Sequence, residues 1–123
     1  MREPGNVVHV LRLGRKGPAE GETLPFTVRV RGKRFHGFVI RKNGRFHAYQ
    51  NLCRHLPITL DLEDGKLLNY EGTLIQCQMH GALYEIETGL CVGGPCEGAS
   101  LIRLSLRQEE ERLVISFPES LVG

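Results

Sequence analysis

Hydrophobic positions along this chain recur with a period of two far more often than with the three-to-four period of a helix. In residues 26–31, Phe26, Val28 and Val30 fall on one face and Thr27, Arg29 and Arg31 on the other, which predicts a half-buried β-strand. Residues 7–13 are short and rich in β-branched side chains and predict another strand. Between them, residues 14–22 carry Gly, charge and one Pro, the composition of a loop. Residues 35–41 and 45–50 flank Asn43-Gly44, a pair that tolerates positive φ at both positions and so predicts a two-residue hairpin.

The second half continues in short pieces. Residues 56–62 are followed by Asp64-Gly65, a short strand at 66–70, Glu71-Gly72 and a strand at 73–76. Residues 83–86 and 90–92 are expected to pair across Glu87-Thr88-Gly89, and 101–106 to pair with 113–117 around a charged turn at 108–112. Helix signals are scarce, and there is no internal repeat or low-complexity segment. The expected fold class is therefore all-β. With 123 residues, 41% hydrophobic and 24% charged, the composition is that of one globular domain covering residues 1–123. No window approaches the ~18 apolar residues of a membrane span, so neither a secretory signal nor a membrane anchor is expected.

Charge changes the picture because it is unevenly placed. Residues 1–50 hold eleven Lys/Arg and three Asp/Glu; residues 51–123 hold five and eleven. The basic half could suggest nucleic acid, but no aromatic side chains are interleaved as stacking platforms. Arg29 and Arg31 alternate with Val28 and Val30, as on a solvated strand face. No nucleic-acid partner is expected.

The candidate chemistry lies in two stretches, Cys53-Arg54-His55 and Cys77-Gln78-Met79-His80. Paired thiolates and imidazoles suit a transition metal, and thiolate points to zinc, copper(I) or an iron–sulfur centre. Common zinc fingers and ribbons pair Cys with Cys and His with His. Here each stretch pairs one Cys with one His, which suits a two-iron cluster with unlike ends, although a structural zinc module stays open as an alternative.

In these residues the chain resembles the Rieske [2Fe–2S] ferredoxin family, whose pattern is C-x-H, an intervening segment, then C-x-x-H-G. This chain reads Cys53-x-His55 and Cys77-x-x-His80-Gly81, with twenty-one residues between His55 and Cys77. The resemblance extends to the strands before the first motif, to residues 84–89 and to Gly93-Gly94-Pro95. It implies an antiparallel β-sandwich base with a small cluster-binding subdomain at about 52–98. It also implies a [2Fe–2S] cluster with Cys53 and Cys77 on one iron and His55 and His80 on the other. Gly81, Tyr84, Gly94 and Pro95 would surround the cluster, and Leu56, Pro57 and Met79 would form an apolar rim over which partners dock.

The same resemblance implies a cytoplasmic one-electron carrier, not an enzyme in itself, passing electrons from a ferredoxin reductase to a terminal oxygenase or other acceptor. An alternative is a small Rieske subunit of a larger reductase, similar to a nitrite reductase small subunit. The high-potential branch of the family carries an extra disulfide, where this chain has Ile58 and Met79, and a serine where it has Ala82. The expected potential is therefore in the lower part of the family's range, roughly −150 to 0 mV. Cys91 and Cys96 are expected to pack beside the cluster, and His9, His36 and His47 to be surface or packing residues. Asp61, Glu63, Glu85 and Glu87, in the acidic half, are expected to help steer a partner.

Overall fold

The computed structural model describes residues 18–30, 32–52, 60, 67–77, 81–96 and 98–117, and the backbone of residues 7–12. Nine strands follow in order: β1 Val7–Arg12, β2 Thr23–Val30, β3 Lys33–Lys42, β4 Arg45–Gln50, β5 Leu74–Gln76, β6 Leu83–Glu85, β7 Cys91–Gly93, β8 Ser105–Glu109 and β9 Arg112–Phe117. They form three antiparallel sheets of three strands each, β1-β9-β8, β2-β3-β4 and β5-β6-β7. Among the described residues there is no helix, and hence none long and apolar enough to cross a membrane.

The β3–β4 hairpin turns where Asn43-Gly44 predicts it, with φ of 54° and 75° at the two positions. A distant carboxylate completes this turn: Glu20 accepts from the backbone N–H of both Asn43 and Gly44. Strand β2 begins at Thr23, three residues earlier than the alternation suggests, because Pro25 interrupts the pattern without interrupting the pairing. β2 is an edge strand, and there a missing N–H can face outward at no cost.

Two expected strands are realised differently. Of the expected strand at 66–70, the described residues 67–70 contribute only a bridge, Leu68 to Ile75, because the Asn69 side chain accepts from the N–H groups of Thr73 and Leu74 and closes a turn there. Residues 101–104 do not pair with β9. They run beside β4 instead, with Gln50 N–H donating to Ile102 O and Leu104 N–H to Ala48 O, both at 2.9 Å. The strand that pairs with β9 is Ser105–Glu109, and Glu110, at φ 54°, makes the turn.

The middle sheet β2-β3-β4 is covered on both faces, because side chains alternate sides along each strand. Val39 and Ala48 point to one side, where they pack with Leu104, Leu113, Ile115 and Phe117 of the terminal sheet. Phe26 meets Phe117 edge-on there, with ring centroids 6.0 Å apart. Phe38, Ile40 and Tyr49 point to the other side, into a core shared with Ile75, Cys77 and Tyr84 of the small sheet β5-β6-β7. Each large apolar side chain buried in this way stabilises the fold by about 1.5–3 kcal/mol.

Candidate metal centre

Both candidate ligand stretches follow described strands. The first follows β4. Asn51 N–H donates to His36 O of β3 at 2.8 Å, and the Asn51 side-chain Oδ1 accepts from Leu60 N–H, also at 2.8 Å. One buried asparagine thus ties the two ends of segment 52–60. Cys53 and His55 lie outside the described residues, but the base from which they spring is fixed.

The second stretch follows β5. Cys77 is wholly buried, and its backbone is used twice: its N–H donates to Ala82 O and its carbonyl accepts from Gly81 N–H, each at 2.8 Å. Gly81 stands at φ 73°, a left-handed conformation that costs other residues roughly 1–2 kcal/mol. His80 lies outside the described residues, between Cys77 and Gly81, whose backbones close this turn.

The Gly93-Gly94-Pro95 loop presses on the same turn. Gly94 has φ 90°, and a Cβ there would come within 2.8 Å of Ala82 Cα and 3.3 Å of Ala82 N, closer than backbone atoms can yield. Pro95, beside it, is exposed. Tyr84 is fully buried in the central strand of the small sheet, and Ala82 is equally buried. Cys91 and Cys96 both join the core that contains Cys77, and the Cys91 thiol donates to Gly93 O at 3.2 Å. The structure therefore brings Cys77, Gly81, Tyr84 and Gly94 together.

The donor chemistry fits a thiolate-ligated metal group. Cys77 is a thiol removed from water, at the root of a loop closed by a glycine and covered by another glycine that leaves no room for a side chain. Sequence reasoning missed Asn51, although an Asx residue directly before a ligand stretch is a recognisable loop-closing signal. Glu87 is placed away from this region. Its carboxylate accepts from Asn43 Nδ2 at 3.1 Å, at the β3–β4 turn, which lies roughly 20 Å along β4 from Asn51.

Comparisons with known proteins agree with this geometry. A profile of the Rieske [2Fe-2S] domain matches residues 10–118. The ferredoxin component of the p-cumate 2,3-dioxygenase system of Pseudomonas putida is 38% identical over 80 residues, which is 64% of this chain and 61% of that relative's length. The ferredoxin of carbazole 1,9a-dioxygenase from Nocardioides aromaticivorans IC177 superposes with a TM-score of 0.62 at 22% identity, covering 86% of this chain and 92% of that one. The terminal oxygenase of carbazole 1,9a-dioxygenase from Novosphingobium sp. KA1 superposes with a TM-score of 0.65 at 23% identity, over 89% of this chain and 29% of that one. The profile match spans most of the chain and takes in both Cys/His motifs, so this protein belongs to the Rieske [2Fe–2S] domain family.

Proposed function

We propose that this protein is a one-electron carrier that takes an electron from a reductase and passes it to a terminal oxygenase in the cytoplasm, without catalysing a reaction of its own. The observation that carries the reading is its 38% identity to the ferredoxin component of a dioxygenase system, over a segment holding 64% of this chain. In this reading segment 52–98 is the cluster-binding subdomain, Cys53 and Cys77 hold one iron, and His55 and His80 hold the other.

The cluster, when bound, supplies one electron at a potential raised above that of all-thiolate clusters, because two neutral imidazoles replace two thiolates. The chain's own residues set the conditions. Burial of Cys77, Ala82 and Tyr84 excludes water from the thiolate side. The Gly94 backbone covers the second ligand turn at a distance that only a glycine permits. Ala82 offers no hydroxyl donor at the position where the high-potential branch has a serine, which supports a potential of roughly −150 to 0 mV.

The test is a stoichiometric reductive titration of the anaerobically purified protein with dithionite. Uptake of one electron per chain, followed by loss of that electron to an added oxidant without turnover of any substrate, is the expected result. A protein that takes up no electrons would overturn the proposal.

A further inference from the structure

Strands β2 and β3 pair in a register that sets Arg29 opposite Arg34, with Lys33 next along β3. Directly opposed side chains on an antiparallel pair stand about 5 Å apart, and like charges so placed destabilise the sheet. All three cations are exposed. Among the described residues no carboxylate pairs with them, and ion pairs are confined to Arg107, Arg112 and Glu109, on β8 and β9. Lys42 opposes Arg45 in the same way at the β3–β4 turn, but there Glu20 and Glu87 supply carboxylates.

Arg34 lies two residues, about 7 Å, before His36, whose carbonyl anchors Asn51 and with it both ends of segment 52–60. Arg29 lies two residues beyond Thr27, which pairs with His36 and meets its Nδ1 through the hydroxyl at 3.1 Å. By strand alternation Arg34 shares its sheet face with His36, Phe38 and Ile40, the face on which the small sheet packs. Glu20 and Glu87 lie at the far end, by Asn43, where β3 and β4 turn. Among the described residues, the charges at the near end are those of Arg29, Lys33 and Arg34; Asp61 and Glu63 lie outside the described residues.

We infer that the Arg29–Lys33–Arg34 end of the β2–β3 hairpin is a docking surface for an acidic patch on a redox partner protein, holding that partner at the end of the sheet where Asn51 lies. This rests on the electron-carrier reading above and adds to it the charge of the partner. Opposed charges raise encounter rates by about 10- to 1000-fold at low salt, and the gain disappears as salt screens them.

The test compares the intact protein with R29E/R34E and K42E/R45E. Both double variants change the net charge equally, and both keep a like-charged opposed pair, since Lys42 faces Arg45 in the β3–β4 register. Each reduced protein is mixed by stopped flow with plastocyanin, an acidic blue-copper protein, and with cytochrome c, a basic haem protein. One electron passes from the reduced protein to Cu(II), giving Cu(I), or to Fe(III), giving Fe(II). At low ionic strength R29E/R34E should slow oxidation by plastocyanin about tenfold and speed oxidation by cytochrome c, with K42E/R45E close to the intact protein and all differences lost at high salt. Equal effects of the two variants, or none, would overturn the docking surface while leaving the electron carrier intact. An intact protein that reduces neither acceptor would instead overturn the carrier reading itself. A DNA fragment bound by the intact protein and released by R29E/R34E would also overturn the inference, by giving the basic end a different occupant.

Discussion

Arg103 grips His47: its Nη2 stands 2.9 Å from the imidazole Nδ1, while its Nη1 donates to Tyr49 Oη at 3.0 Å and to Glu87 O at 2.8 Å. A guanidinium can only donate, so Nδ1 accepts and the ring proton of neutral His47 sits on Nε2. Tyr49 Oη in turn donates to Ile86 O at 2.7 Å. These contacts fasten the Ile86–Glu87 turn of the small sheet to β4 of the middle sheet.

The first prediction concerns pH. Burial, and then the charge of Arg103, hold the His47 pKa below its ordinary value of 6.5. The unfolded chain therefore binds a proton that the folded chain resists, and stability rises with pH across that window. Unfolding midpoints should be flat above about pH 6.5, fall as pH drops through the depressed His47 value, and lose that component in His47→Asn, whose amide oxygen can still accept from Arg103. Glu20, its pKa lowered by the N–H groups of Gly44 and Asn43, adds a second loss only below 4.5. Urea unfolding at pH 7, 5.5 and 4 separates the two; an unchanged slope in His47→Asn between pH 7 and 5.5 would remove His47 from the account.

The second concerns Arg103 itself. Arg103→Met keeps the aliphatic stem and loses the donors to Tyr49, Glu87 and His47, leaving acceptors in a partly buried site. A loss of about 2–3 kcal/mol is expected, since hydrogen bonds from a charged donor contribute about 1.5–3 kcal/mol. Arg103→Lys should recover little, because one ammonium cannot span three acceptors in the geometry of a fork.

The third concerns the glycine over the ligand turn. Gly94→Ala adds a left-handed strain of about 1–2 kcal/mol to a contact of 2.8 Å with backbone, so at least 2 kcal/mol of destabilisation is expected. The displaced Ala82 backbone should also alter the visible spectrum of the reduced protein. Gly44→Ala, where a Cβ meets nothing within 4 Å, should show the strain alone and leave the spectrum unchanged.

Much of this was legible in the sequence because the signals were local. Asn43-Gly44 marks its hairpin by backbone freedom, and the alternation of Phe26, Val28 and Val30 marks its strand by period. The paired Cys-His stretches mark the family, whose profile matches residues 10–118. Other features depend on contacts across long stretches of chain. Glu20 capping the turn at 43–44, and residues 101–104 choosing β4 over β9, leave no local trace, because any short apolar strand can pair with either neighbour. The split of charge between the two halves was visible, but not that strand pairing would set Arg29 against Arg34 at one end of the sheet and Glu87 beside Asn43 at the other.

The fourth prediction follows from Ala82. A hydroxyl introduced by Ala82→Ser, wholly buried beside the second ligand turn, should raise the reduction potential by roughly 60–130 mV, the equivalent of one hydrogen bond to a charged acceptor at 59 mV per tenfold for one electron. Protein-film voltammetry of the two proteins gives the difference, and an equal potential would remove Ala82 as the cause of a low value.

The most direct test of the central claim is the metal content of the purified protein together with its low-temperature EPR spectrum after reduction with dithionite. The account predicts about two irons and two acid-labile sulfides per chain, and a rhombic signal with a mean g below the free-electron value, absent in Cys77→Ser and His80→Ala. A colourless protein with about one zinc per chain and no EPR signal on reduction would contradict it, and Cys77 would then belong to a structural metal site.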